Sequence, residues 1–479
     1  MWIKLIAPRV TLRLLDSAFK RHMAPPLSLL VLGALTPREH KVTIEDENVE
    51  RVHLDDMPDL VGITVKADTA YRSYEISRAY RERGIPVIMG GIHPTACPEE
   101  NLGHADAIVI GEAEEVWDTV LNDARNGQLK PIYRHTRTTD LARSPVPRWE
   151  LIKGKNYLYT STLCAGRGCP WQCAFCYNSS PNITRGHRMK PYQHILKEIE
   201  STGSRQIMFI DDNFIGNPEK ARYFLQNCMP SGLTWHTAVS VDIGKHDDIL
   251  DLMASTGCKS LFIGFETLNE KNLSGCSKRQ NKIDEYAVVI KKIHNRGMMV
   301  NASLVFGFDC DGPEVFPETL QWLVENKIET MTGHILTPYP GTKLYKKLQE
   351  ENRIFDFDLR HYNTSHVVYY PRNMTSQQLQ QGYLWMYSEF YSFRRILQRL
   401  PACNQQRIPY LFFNFFYRKF GKAASLVGKL GLMPCIIKAA NMLAYPKGRI
   451  EEFGKKHIIV HTRLNERSNL CPVGISQKK

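Results

Sequence analysis

The chain has 479 residues, enough for about three domains at ~150 residues each and for sizeable buried cores. Its 43% hydrophobic, 23% charged and 10% aromatic residues are a globular balance, which excludes a disordered or fibrous protein. The 62 Lys and Arg against 49 Asp and Glu leave a net charge of +13, a surplus that points to an anionic partner wherever the cations cluster.

Residues 1–9 lack the shape of a signal peptide, because Lys4 interrupts the apolar run and Pro8 and Arg9 end it. No stretch reaches the ~18 apolar residues of a spanning helix; the densest, 410–416, is far shorter. The expected location is therefore cytoplasmic.

From the start to about residue 340, short Val- and Ile-rich runs alternate with longer amphipathic segments, the rhythm of βα units and parallel sheets. Strands are predicted at 4–7, 42–45, 60–65, 87–89 and 107–110, and helices at 27–35, 71–83 and 114–126. Together they form an α/β, doubly wound, Rossmann-like domain over 1–126, with ligands expected at the strand C-termini. Two glycine-marked loops fall at that edge: Gly90-Gly91-Ile92-His93-Pro94-Thr95 and Gly111-Glu112. Breaking signals such as Ser144-Pro145 and Val146-Pro147 make 127–154 a linker. A second series predicts strands at 157–162, 206–210, 234–241, 260–265, 299–306 and 330–336. Six such units over 155–342 fit a partial (β/α)6 barrel with its chemistry at the strand C-termini. The remainder, 343–479, reads as mostly helical, with one helix expected over 376–400.

Seven cysteines (Cys97, Cys228, Cys258, Cys310, Cys403, Cys435 and Cys471) have no close partner and read as small buried hydrophobes. The run Cys169-Pro-Trp-Gln-Cys173-Ala-Phe-Cys176 is different: three soft ligands in one short loop at the active edge of the barrel. A zinc ribbon would need a second paired Cys/His group, and a redox pair at Cys173 and Cys176 leaves Cys169 unexplained. Three ligands leave one metal open, as a catalytic site requires.

The Cys-x3-Cys-x2-Cys spacing, with Phe175 before the third cysteine, resembles the radical S-adenosylmethionine superfamily. The resemblance implies a [4Fe-4S] cluster held by Cys169, Cys173 and Cys176, with S-adenosylmethionine chelating the fourth iron. It implies one-electron cleavage to a 5′-deoxyadenosyl radical, fed by an external donor such as a flavodoxin or ferredoxin. Phe175, Asp211, Asp212, Ser240 and Glu266 match positions near that cofactor, although Asp211-Asp212-Asn213 also suits a helix cap. The first ~125 residues resemble the cobalamin-binding domain that precedes many such enzymes. The likeness rests on Gly90, Gly91, His93, Thr95, Gly111 and Glu112 as the cofactor edge. No Asp-x-His-x-x-Gly segment is present, so no histidine is assigned as lower axial ligand. The stretch 361–385 resembles the C-terminal extension of cobalamin-dependent enzymes acting on lipids or tetrapyrroles.

Residues 390–450 contain eleven Lys and Arg and no Asp or Glu, interleaved with aromatics, as in an interfacial segment on an anionic membrane or a solvated basic face on helices packed to the barrel. Without these eleven, 51 basic residues face 49 acidic ones. No reader motif accompanies the charge, so nucleic acid is not the expected partner. The expected reaction is cobalamin-dependent methyl transfer to an unactivated carbon of a small or lipid-like substrate. The alternatives are a radical cyclisation or rearrangement without methyl transfer, and a sensor or scaffold that uses its cluster structurally.

Overall fold

The computed structural model describes residues 1–419, apart from 136–137, 159–160 and 185, together with Leu432 and Cys435. Two six-stranded parallel sheets organise the chain. The first runs β2-β1-β3-β4-β5-β6, from β1 (Trp2–Ala7), β2 (Lys41–Asp46), β3 (Leu60–Thr64), β4 (Val87–Gly90), β5 (Ala107–Ile110) and β6 (Ile132–Arg134). Its strands alternate between two cores, as a period of two requires. Ile3, Leu5, Leu60, Ile88 and Val109 pack with residues of α1 (Leu27–Leu35) and of Trp117–Arg125, whereas Ile6, Val61, Ile63, Met89 and Ile110 join the cluster that continues into the barrel. α1 begins after Pro25-Pro26 and ends at Thr36, whose hydroxyl donates to Leu32 O (2.9 Å) and accepts the indole N–H of Trp117 (2.9 Å).

The predicted linker is partly sheet. β6 lies within it, with Tyr133 buried between exposed Ile132 and Arg134, and the Tyr133 hydroxyl donates to Asp123 Oδ2 (2.8 Å). A three-residue strand is too short to show a period in the sequence.

The second sheet runs β14-β13-β12-β11-β10-β7 in unbroken sequential order, the topology of a partial barrel. Its strands are β7 (Thr162–Leu163), β10 (Gln206–Phe209), β11 (Thr234–Val239), β12 (Cys258–Glu266), β13 (Met299–Phe306) and β14 (Thr330–Ile335). The first is shorter than predicted, because Tyr157 turns to the N-terminal domain and donates to Asp46 Oδ2 (3.0 Å). A two-stranded antiparallel ribbon, β8 (Gly166–Arg167) with β9 (Arg188–Met189), stands at the barrel edge.

The single helix expected over 376–400 is two, Ser376–Phe390 and Phe393–Gln398, because Ser392 accepts from Arg395 N and caps a new start. No helix among the described residues is long and apolar enough to cross a membrane. Arg399, counted among the surface cations, is wholly buried: it donates to the carbonyls of Ile328 (2.6 Å), Glu329 (3.0 Å) and Phe390 (2.7 Å), and lies over the Phe390 ring. Lys422, Lys429, Lys438, Lys447 and Arg449 lie outside the described residues.

Candidate active site

The three clustered cysteines sit on a loop closed by the β8–β9 ribbon. Gly168 opens it at φ +79°, where a side chain would collide with Gly186 O at 2.3 Å, so the two ends of the loop touch only because this residue is glycine. Asp211, at the end of β10, builds the base. Its carboxylate accepts from Ala165 N (3.0 Å) and Gly166 N (2.5 Å), and burial pushes its pKa up to about 7 despite those two bonds. It therefore shapes the loop's entrance and caps no helix, since the next helix, Pro218–Asn227, is capped by Asn217.

Cys173 is buried and Cys169 and Cys176 are half-buried. Burial raises all three thiols, Cys169 to about 11 and Cys176 to about 12. Without a nearby metal charge these sulfurs stay protonated, and an iron cluster supplies the charge that makes them thiolates. Cys164 is not a fourth member, since its sulfur faces Gly166 O (2.6 Å). Several buried polar atoms at the loop lack partners, among them Trp171 Nε1 and Gln280 Oε1, the latter on a side chain within reach of the Cys173 sulfur. Vacant donors and acceptors beside soft ligands suit a polar ligand on a cluster, so the residues present fit both groups.

Glu266 ends β12 at φ +66°, an unusual conformation for a non-glycine, next to a bulge against β13. Its carboxylate accepts from Lys278 Nζ (2.6 Å), with both side chains at most 10% exposed. Lys278 also sits within electrostatic reach of Cys169 and Cys173. Sequence reading missed Lys278 and Gln280, because nothing in their local spacing marks them. It also missed Cys276, a buried thiol near Cys173 whose carbonyl accepts from Ala174 N (2.9 Å). Ser240 is engaged by Asn213 Nδ2 (2.9 Å) and by Asp242. Asp212 remains exposed near Cys169 and Cys176, and Phe175 meets Phe308 edge to face at 6.2 Å.

At the N-terminal sheet edge, Gly91 (φ +108°) and Gly111 (φ +86°) are exposed, and Gly111 has open space above its Cα. Thr95 Oγ1 accepts from Gly111 N (3.0 Å) and donates to Gly91 O (2.7 Å), so it ties the two glycine loops together. Bare backbone at a strand edge with open space fits a large flat cofactor such as cobalamin. His93 is 0% exposed and presents no face to such a group. The Glu112 carboxylate is held by Arg188 (2.7 and 2.8 Å) and by Arg167 (3.4 Å) of the ribbon at the cysteine loop. Tyr177, just after Cys176, packs on Tyr339 at 5.0 Å, and Gly341 comes so near Ala96 that a side chain would meet its carbonyl at 2.7 Å. The two active edges therefore face one another.

A thiol-bearing partial barrel joined edge to edge with a doubly wound domain defines an enzyme built around an iron–sulfur cluster and a second, larger cofactor. The chain matches the Radical SAM superfamily over residues 163–323, the B12 binding domain over 23–121 and a domain of unknown function, DUF4070, over 342–410. It is 26% identical to bacteriochlorophyllide d C-12(1)-methyltransferase of Chlorobaculum tepidum, across 82% of this chain and 88% of the relative. It is 28% identical to hopanoid C-2 methylase of Rhodopseudomonas palustris, across 72% and 68%. The cobalamin-dependent S-adenosylmethionine radical enzyme OxsB, solved with aqua-cobalamin bound, shares the fold at a TM-score of 0.65 and 15% identity, covering 98% of this chain and 80% of that one. The chain therefore carries a radical S-adenosylmethionine domain preceded by a B12-binding domain. Its cofactors are a [4Fe-4S] cluster, S-adenosylmethionine and cobalamin.

Proposed function

We propose that the protein transfers a methyl group to an unactivated carbon of a small lipid-like or tetrapyrrole-type substrate, in a reaction that depends on cobalamin. The observation that carries this is the apposition of the two edges, with Glu112 beside the B12-type glycine loop clamped to Arg167 and Arg188 of the ribbon that closes the cysteine loop. A methyl carrier at one edge and a radical source at the other serve one substrate only if the two stand this close. When bound, the cluster and S-adenosylmethionine supply a hydrogen-abstracting radical and cobalamin supplies the methyl group.

Cys169, Cys173 and Cys176 would hold the cluster. Exposed Asp212 and the vacant Gln280 carbonyl are the groups left to receive the cofactor's amino and hydroxyl donors, because Asp211, Ser240 and Glu266 have other partners, Glu266 keeping only the oxygen that Lys278 does not hold. Phe175 gives the loop an apolar wall against Phe308. Gly90, Gly91 and Gly111 offer cobalamin their backbone, with Thr95 and Glu112 positioning the loops behind them.

Anaerobic reconstitution with S-adenosylmethionine, a reductant and candidate substrates tests this reading. Methyl transfer yields both S-adenosylhomocysteine and 5′-deoxyadenosine, whereas cyclisation or rearrangement yields 5′-deoxyadenosine without S-adenosylhomocysteine. A Cys173→Ala variant that keeps the cluster's visible absorption and the cleavage of S-adenosylmethionine would overturn the site.

For the C-terminal segment, we propose peripheral binding to an anionic membrane. In the described part of 390–450, exposed Phe393, Leu397, Ile408 and Phe412 stand among exposed Arg394 and Arg407, an apolar and basic mixture suited to a lipid interface. Flotation with anionic liposomes tests it: binding unchanged by Ile408→Asp with Arg394→Glu would refute it.

A further inference from the structure

The loop after β4 holds a second set of metal-ligating side chains, apart from the three cluster cysteines. His93, Cys97 and Glu100 each bring one ligand atom to within 4.8 Å of the others. His93 lies on the short helix Ile92–Ala96, Glu100 lies on Pro98–Leu102, and Cys97 is the junction between them.

Two buried groups at this place have unmet bonding capacity. His93 is fully buried, its Nδ1 has no hydrogen-bond partner, and its Nε2 has only Glu100 Oε1, 3.3 Å away and off the line of a hydrogen bond. The Tyr177 hydroxyl, from the turn after Cys176, is buried with no partner and lies within electrostatic reach of Cys97 and Glu100. A simple His93–Glu100 ion pair accounts for neither the free ring nitrogen nor the phenol nor the thiol beside them. Buried polar atoms are otherwise almost always satisfied.

We propose that His93, Cys97 and Glu100 form a zinc-type transition-metal site, with water or the Tyr177 hydroxyl in the fourth position. One sulfur, one imidazole nitrogen and one carboxylate oxygen are donors that zinc accepts in tetrahedral geometry. The sulfur ligand argues against Mg²⁺ and Ca²⁺, which take oxygen. Binding displaces the Cys97 proton to solvent, because the thiolate is the ligand. Tyr74 donates to Glu100 Oε1 (3.1 Å) and orients that carboxylate from outside. The ion would fasten the β4 loop where it meets the barrel, beside Tyr177 of the cysteine loop and Gly341 of the barrel's exit loop. This inference is independent of methyl transfer.

The test is zinc analysis and zinc-edge X-ray absorption on full-length, cluster-loaded enzyme, so that the three cluster cysteines are occupied by iron. The expected result is one zinc per chain, with one sulfur at ~2.3 Å and nitrogen and oxygen near ~2.0–2.1 Å. Cys97→Ser and Glu100→Gln should weaken zinc binding by more than about 100-fold, beyond what loss of an outer-shell partner costs. Both substitutions are near-isosteric, and far-UV circular dichroism with retained iron content checks that each variant folds. A three-sulfur zinc shell, zinc lost on dialysis against a weak chelator, or zinc affinity unchanged in a folded Cys97→Ser variant would each overturn the site.

Discussion

Glu112 and Arg188 form a two-pronged ion pair across the two domains, Nη2 to Oε1 at 2.7 Å and Nη1 to Oε2 at 2.8 Å, with both side chains under a fifth exposed. One residue follows a strand of the B12-type sheet and the other closes the cysteine loop, so the pair sets the distance between the two cofactor edges. Arg167 adds a second strut, reaching Glu114 Oε1 at 2.5 Å.

A double-mutant cycle on Glu112→Gln and Arg188→Gln should show a coupling of about 2 kcal/mol, between the 0–1 of exposed pairs and the 3–5 lost when a buried pair is broken. Denaturant unfolding measures it. Burial opposes ionisation of Glu112, but the arginines win and hold its pKa below the usual carboxylate range. Its contribution is therefore complete above the ordinary glutamate pKa and lost as the pH falls through the depressed one. A coupling that persists at pH values well below that range would contradict the assignment.

Asp211→Asn keeps one acceptor but turns a donor toward the second amide, which should cost about 1–3 kcal/mol and lower iron content per chain. The sign with pH is opposite to that of Glu112. Burial raises Asp211 to about 7, so between the ordinary aspartate range and pH 7 the folded state binds the extra proton. Wild-type stability relative to the variant should fall as the pH rises through that window. Thermal unfolding at a series of pH values reads it.

Lys278→Met leaves the Glu266 carboxylate buried, unpaired and at positive φ, at a cost of about 3–5 kcal/mol. Burial lowers the Lys278 pKa, but Glu266 outweighs it and the net shift is upward. The lysine is thus charged in both states below the ordinary lysine range, while the unpaired carboxylate of the variant can take up a proton, so the loss should be largest near about pH 9 and shrink toward about pH 6. Unfolding curves across that range check it.

Gly111→Ala and Gly84→Ala carry the same backbone strain, since both glycines have positive φ and nothing within 4 Å of an added Cβ. Each should cost about 1–2 kcal/mol. Only Gly111→Ala should lower cobalamin occupancy, because its methyl group fills the space at the sheet edge. Cobalt content of anaerobically purified variants decides, and equal occupancy in the two would remove Gly111 from the cofactor edge.

Arg399→Met should destabilise by about 3–5 kcal/mol, since three backbone carbonyls lose a buried charged donor. Substituting exposed Arg394 should change stability by less than about 0.5 kcal/mol. The comparison shows that the basic count of 390–450 includes a buried clamp as well as surface charge.

Features that repeat or cluster within a few residues are legible in the amino-acid sequence. The βα rhythm marked five strands of the first sheet and five of the second, whose first strand lies at Thr162–Leu163 and not over 157–162, and the spacing of Cys169, Cys173 and Cys176 marked one short loop. Glycines at strand ends marked the two loops that Thr95 ties together at the edge of the first sheet. Periodicity and spacing report on backbone geometry within a few residues, so a single chain suffices to read them. What the polar side chains do follows from contacts made across the packed fold. Asp211 meets amides 45 and 46 residues away, Glu112 an arginine 76 away, and Tyr157 an aspartate 111 away. Glu266 and His93 were legible as candidates, but their partners were not: Lys278 pairs with Glu266, and Cys97 and Glu100 gather with His93. A buried charge takes whichever partner the packed fold brings to it, and that choice is made across the whole chain.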